Sequence, residues 1–328
     1  MILGLGVLER LSTQGCARIH TAYRPKTVKA QIGHFTTFLQ FLEYVGLSLD
    51  EVHHVIVIAF IELLVANGLK IVTISNYLSS IKNKYKLYGL SVSSLEHEWV
   101  QRVLRSIELN VPVQRQLKCV FSLQQLQQIV EICDTIPLGW IYKVVFLVAY
   151  FAFLRLSNLV PTSISGFDPT RHLCRGDWIV SDDSVGIMLK WSKTLQFQSS
   201  FKVIPLPCLG NSPLCPVKAF EIMTQYAPLP SQAPMFSIPQ GCGSVPLTQS
   251  KVRKMLHSIL LGLGMDSAGL SFHAFRRSGA SLAFQNEIPI QDIKMHGTWE
   301  SDTVWKYVIQ EGQTRDGVST RFEQLLKE

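Results

Sequence analysis

Toward its C-terminus the chain reads Ser271-Phe272-His273-Ala274-Phe275-Arg276-Arg277, then His296-Gly297-Thr298-Trp299, then Trp305-Lys306-Tyr307. Residues three apart on a helix share a face, so His273 and Arg276 would project together, with Ser271 as the expected N-cap. A guanidinium presents a planar fork of donors that fits two oxygens of one phosphate, and it stays protonated across the working pH range. A phenol ionises only near ~10 and is a weak nucleophile at neutrality, so Tyr307 would need cationic neighbours and a base. The order and spacing predict a site where a tyrosine attacks a phosphate.

A second guanidinium is expected from Phe151-Ala152-Phe153-Leu154-Arg155-Leu156-Ser157-Asn158. The apolar run 144–154 predicts a buried helix ending at Arg155, and a charge placed there must be paired or face a cleft. Stretches 185–191 and 201–206, rich in β-branched and aromatic residues, predict two strands. The segment that joins them holds Ser192-Lys193-Thr194.

In this order, Arg155, His273-x-x-Arg276, Trp299 and Tyr307 resemble the catalytic set of the tyrosine recombinase (phage integrase) family. The resemblance implies a mainly α fold with a small antiparallel β-sheet, in which a helical core-binding (SAM-like) DNA-binding domain precedes the catalytic domain. It implies a further catalytic lysine in the hairpin turn, for which Lys193 is the first choice and Lys190 the alternative. Arg155 and Arg276 would hold the non-bridging oxygens of the scissile phosphate, Lys193 would protonate the departing 5′ oxygen, and His273 would take the tyrosine proton or orient the phosphate. Trp299 would fill the slot where many relatives have histidine, with His296 competing for that role. Tyr307 would become joined to the 3′ phosphate, with no metal, cofactor or ATP required. Relatives carry an acid three residues after the first arginine, where this chain has Asn158, an amide that could accept from Arg155 without neutralising it.

The implied partners are double-stranded DNA and other copies of the chain, as a homodimer or homotetramer on paired sites. The Arg-Leu-Ser-Asn string, the Lys-Thr turn and His-Gly-Thr-Trp look most similar to recombinases of eukaryotic mobile elements, of crypton or tyrosine-recombinase retrotransposon type. The implied setting is intracellular and DNA-associated, in the nucleus if the host is eukaryotic. Two rivals stand beside integration or excision: a decayed or domesticated relative that only binds DNA, and a type IB topoisomerase. A separate helical module ahead of the motifs favours recombination.

Positioning these groups requires two domains, expected at 21–112 and 120–328. Helices are expected at 27–45, with a stripe of Val28, Ile32, Phe35, Phe38, Leu39 and Leu42, at 50–66, at 73–88 and at 99–109. Residues 110–118 break the periodicity with a proline and two cations, as an extended linker would. Lys82, Lys84 and Lys86, with Arg115 and Lys118 in the linker, are candidate DNA contacts that would place the duplex rather than read it. The tail 319–328 could form a short helix with Phe322, Leu325 and Leu326 on one face.

Composition agrees. A net charge of +7 over 328 residues favours a polyanionic partner, and that length supports two cores. Seven cysteines, Cys16, Cys119, Cys133, Cys174, Cys208, Cys215 and Cys242, form no Cys-x-x-Cys pair and read as reduced thiols. No stretch has the length and apolar character of a membrane span, the N-terminus lacks a basic leader, and no carboxylate triad or paired histidine motif points to metal chemistry.

Overall fold

In a computed structural model the described residues are 25–110, 120–181, 184–191, 201–241, 243–265 and 270–308. The chain divides into two compact units, Met1–Arg115 and Gln116–Glu328.

The first unit is helical: α1 (Pro25–Val45), α2 (His54–Ala66), α3 (Ile71–Leu87), the single turn α4 (Ser93–Glu96) and α5 (Glu98–Asn110). Its core is aromatic and aliphatic, with Phe38 edge-on to Phe60 at 5.0 Å and the Tyr85 hydroxyl donating to the Leu49 carbonyl at 3.0 Å. The α1 stripe is narrower than expected: Phe35, Phe38 and Leu42 are buried, while Ile32 and Leu39 sit on its flank and are exposed. The helix expected over 50–66 is broken. Ser48 and Glu51 cap each other through the Ser48 N–H and the Glu51 carboxylate at 2.8 Å, closing a 3-10 turn (Leu49–Glu51) before α2 begins.

The second unit is built around α7 (Gly139–Phe151), which is apolar on every face and almost wholly buried. Helices α6 (Leu123–Thr135), α9 (Pro216–Tyr226) and α11 (His273–Gln285) pack against it. Ser122 starts α6 with a reciprocal cap, accepting from the Gln125 N–H at 3.1 Å while the Gln125 amide accepts from Ser122 N–H at 3.0 Å. A three-stranded antiparallel sheet runs β1 (Trp178–Val180), β2 (Val185–Leu189) and β3 (Lys202–Leu206), with Ile187 opposite Ile204. Both expected strands are present, trimmed to their paired residues. β1 and a second hairpin, β4 (Ser237–Gln240) with β5 (Gly243–Pro246), escaped the sequence reading because each is three or four residues long and the latter pair contains two prolines. Helices α10 (Gln249–Gly262) and α12 (Ile290–His296) complete the unit.

Two expected boundaries move. Arg155 does not end the buried helix: α7 stops at Phe151, Phe153 turns left-handed at φ +48°, and the Leu154 N–H closes back on the Ala149 carbonyl at 3.2 Å. Arg155 instead precedes the single turn α8 (Leu156–Leu159). Ser271 is not the N-cap of α11; Phe272 occupies that position, and Ser271 contributes only its carbonyl to the Ala274 N–H at 2.7 Å. Among the described residues no helix is long and apolar enough to cross a membrane, no group of three metal-ligating side chains gathers, and Cys133, Cys174, Cys208 and Cys215 are free thiols.

The seam between α7 and α11 requires glycine. A Cβ on Gly279 would lie 2.2 Å from the Tyr150 carbonyl oxygen and 2.6 Å from the Phe153 ring. Gly279→Ala should therefore destabilise the fold by about 1–3 kcal/mol through overpacking. Urea unfolding should show a lower midpoint at unchanged slope; an unmoved midpoint would mean that the helices separate freely.

Candidate active site

Arg276 is the centre of the site. It projects from the first turn of α11 and is 1 % exposed. Its Nη1 donates to the Phe153 carbonyl and its Nη2 to the Gly297 carbonyl at 2.8 Å. The guanidinium also lies over two rings, 3.8 Å from the Trp299 centroid and 5.2 Å from that of Tyr307. The two gripping carbonyls sit at strained backbone: Phe153 is itself left-handed, and Gly297 precedes Thr298 at φ +56°. Gly297 has no room for a side chain, because a Cβ there would fall 1.8 Å from the Trp299 ring. Burial, and then the Arg155 charge, pull the Arg276 pKa down to about 9, which still leaves it cationic at neutral pH.

Tyr307 is half-buried at the C-terminal end of a 3-10 turn (Asp302–Lys306) rather than within an α-helix. Ser301 caps that turn, its hydroxyl accepting from the Thr303 N–H at 3.4 Å. The Tyr307 ring lies 5.2 Å from Trp299 and 6.5 Å from His273, and the Ser281 hydroxyl donates to its carbonyl at 3.3 Å, tying the turn to α11. The Trp299 indole N–H is buried beside these groups and donates to nothing among the described residues.

His273 opens α11 with an exposed edge. Desolvation, then the charges of Arg155, Arg276, Arg277 and Arg253, hold its pKa below the ordinary imidazole value. The same cations that suit a phosphate thus keep the ring neutral and able to accept a proton. Arg253 was missed by the sequence reading. It lies on the exposed face of α10 and donates to the Gln249 side chain at 3.0 Å, and Gln249 in turn reaches the Val160 carbonyl at 3.2 Å. Its available signal was weak: a cation in Ser250-Lys251-Val252-Arg253-Lys254, opposite an apolar stripe.

Asn158 serves Arg155 differently from expectation. Its Oδ1 accepts from the Arg155 backbone N–H at 3.2 Å, not from the guanidinium, and its Nδ2 donates to the Trp191 carbonyl at 3.1 Å. A single amide therefore ties Arg155 to the chain just ahead of the lysine turn. Lys193 itself lies outside the described residues, as do Arg115, Lys118 and the tail 319–328. Lys190 is already engaged, with its Nζ 2.6 Å from Asp177 and 3.6 Å from the Cys174 sulfur. His296 donates from Nε2 to the Phe151 carbonyl at 2.7 Å and lines an apolar cavity of about 760 Å³, so Trp299 rather than His296 faces the guanidinium. In the first unit Lys82 and Lys86, four apart, share a face of α3, Lys84 turns away from both, and Lys82 pairs with Glu96 at 3.6 Å.

No family model and no curated protein matches this sequence. Solved structures do. The Tn1549 transposon integrase in complex with transposon right-end DNA aligns with TM-score 0.66 at 13 % identity, covering 95 % of this chain and 98 % of that one. A lambda integrase dimer bound to a COC′ core site aligns at 0.58 and 14 %, covering 95 % and 79 %. The XerH site-specific recombinase bound to its difH substrate, in a pre-cleavage complex, aligns at 0.57 and 15 %, covering 90 % and 78 %. The fold is that of the tyrosine recombinases. That fold is the one implied by the resemblance carried by five scattered side chains.

A pH dependence follows from His273. Its depressed pKa means that the unfolded chain binds more protons between that value and 6.5, so stability should rise with pH across this window and be level on either side. His273→Gln should flatten part of the rise in urea unfolding across pH 4.5 to 8, whereas an unchanged profile would place the ring in bulk solvent. Arg253→Gln should move the His273 proton resonances to a higher titration midpoint.

Proposed function

We propose that this chain is a site-specific DNA recombinase that cuts and rejoins strands through a 3′-phosphotyrosine intermediate, serving integration or excision of a mobile element. The observation that carries the proposal is the position of Tyr307, with its ring 5.2 Å from the Arg276 guanidinium and 5.2 Å from Trp299, beside an imidazole held neutral.

In the reaction the Tyr307 oxygen attacks the scissile phosphorus and its proton passes to His273 or to water. The P–O5′ bond breaks, and Lys193 supplies the proton that leaves a free 5′ hydroxyl. One phosphodiester is exchanged for another, so rejoining runs the same steps backward without ATP. Arg155 and Arg276 hold the non-bridging oxygens, and their preorganised charge is the principal catalytic term. These guanidinium groups supply the charge stabilisation that a metal ion provides in other phosphoryl transfers. The Trp299 indole N–H offers one more donor to a phosphate oxygen.

The first unit, taken as a DNA-binding domain over 21–112, and the catalytic domain over 120–328 would each contact the duplex, as dimers or tetramers on paired sites. The solved relatives named above are bound to DNA, and one is described as a dimer, which supports this reading. The net charge of +7 supports the same partner. The alignment with a transposon integrase supports the mobile-element role.

A nicked suicide duplex tests the proposal. The protein should form a denaturant-resistant covalent adduct with it, and Tyr307→Phe should abolish that adduct while DNA binding stays within about twofold. An adduct that survives in Tyr307→Phe would move the nucleophile elsewhere, and no adduct from the native chain would favour a relative that only binds DNA. Arg276→Ala should slow cleavage by about 10²–10³-fold with a smaller loss of affinity. Equal loss of both would recast it as a binding residue.

A further inference from the structure

Arg175 stands outside every interaction so far described. It opens the 3-10 turn Arg175–Asp177 ahead of β1 and is 7 % exposed, yet its Nε, Nη1 and Nη2 are all buried without a hydrogen-bond partner. Its Cζ lies over the Phe220 ring, 5.8 Å from the centroid. Asp177, two residues on, is committed elsewhere: it binds Lys190 at 2.6 Å and the Cys174 N–H at 2.7 Å. Burial alone draws the Arg175 pKa below the ordinary guanidinium value, with no carboxylate opposing it. The backbone of the turn is pinned, since the Arg175 N–H donates to the Ala233 carbonyl at 2.9 Å and the Gly176 N–H to that of Ser231 at 2.8 Å.

Arg276 shows what a buried guanidinium needs, namely carbonyl acceptors and aromatic faces, and Arg175 has no acceptor of any kind among the described residues. A buried cation left in this state is costly, so an anion that completes it binds favourably. The residue also lines a cavity of about 350 Å³, whose other walls include Phe220, Thr224, Pro228, Leu229 and Ser231. That volume is within the range of small-molecule sites, and its mix of apolar walls with a few polar groups is typical of them.

We propose that this cavity binds a small monocarboxylate, with the carboxylate seated in the Arg175 fork and an apolar body against Phe220, Pro228 and Leu229. The planar fork matches two carboxylate oxygens. Among the described residues Arg175 is the one cation in the lining, so a dianion such as phosphate would bring in a second charge with nothing there to balance it. The Ser231 hydroxyl offers a donor for a remaining lone pair, whereas the Thr224 hydroxyl already donates to the Glu221 carbonyl at 2.7 Å. The guanidinium nitrogens are covered, so the ligand enters by displacing the lining side chains. The site is independent of Tyr307, and its test does not depend on the reaction proposed above.

Thermal unfolding of the full chain in sodium benzoate, against sodium chloride of equal ionic strength, reads the proposal directly. Benzoate should raise Tm saturably, by about 5 °C or more at ~100-fold excess over Kd. Arg175→Met should unfold at a higher temperature than the native chain without ligand and show no benzoate shift. Thr224→Met, which fills the cavity and leaves the arginine in place, should also lose the shift, and it carries the test if Arg175→Met does not fold. A benzoate shift no larger than that of chloride overturns the proposal. So does an equal shift in Thr224→Met, or a response to inorganic phosphate alone.

Discussion

A guanidinium buried without a carboxylate organises the second unit. Arg276 is sealed from solvent and has no acidic side-chain partner of Asp or Glu type among the described residues, so its desolvation is offset by carbonyl dipoles, π faces and the Tyr307 side chain. Dipoles orient charge without cancelling it. The site therefore keeps a net positive potential at its centre, as a pocket for a phosphodiester must, whereas an ion pair would have neutralised it before any ligand arrived. The two acceptors come from Phe153 and Gly297, distant in sequence, and each lies at or beside a left-handed non-glycine residue. Strain of that kind persists only where surrounding packing fixes it. Here the packing is the small cluster of Phe153, Ala280, Ile293, Trp299, Val304 and Val308, which places Tyr307 at its edge.

The contrast with Lys190 sharpens this point. Both side chains are cations in the second unit, yet Lys190 is neutralised by Asp177 and Arg276 is not. Charge that is paired at home has little left to offer a ligand, and charge held by dipoles keeps most of it. His273 follows the same logic from the other side. Surrounded by arginines, it gains nothing from being protonated, and its neutral form is the one able to accept a proton.

Much of the candidate site was readable from residue types and spacing, since His273 and Arg276 are three apart on one helix and Trp299 precedes Tyr307 by one short turn. Arg155 was found by an argument about buried charge, although the helix before it ends three residues earlier than the apolar run. A hydrophobic run reports burial, and Ala152 to Leu154 are buried without being helical. Arg253 was not found, because its distance from His273 depends on how α10 packs and no local pattern encodes that. The lysines of α3 form a cluster in sequence that the helix splits, leaving Lys82 and Lys86 on one face and Lys84 turned away.

The sequence by itself determined the helical, mostly α character of the chain, the strand pair β2 and β3, and the candidate side chains His273, Arg276, Trp299 and Tyr307. Periodicity and chemical type are local properties, and they survive without knowledge of the fold. Tertiary structure alone decided which cations stay unpaired, which carbonyls turn inward to receive Arg276, and that Trp299 rather than His296 lies against the guanidinium. Those outcomes depend on distances between segments more than a hundred residues apart, such as Phe153 and Arg276, and such distances are set by core packing rather than by any neighbouring residue.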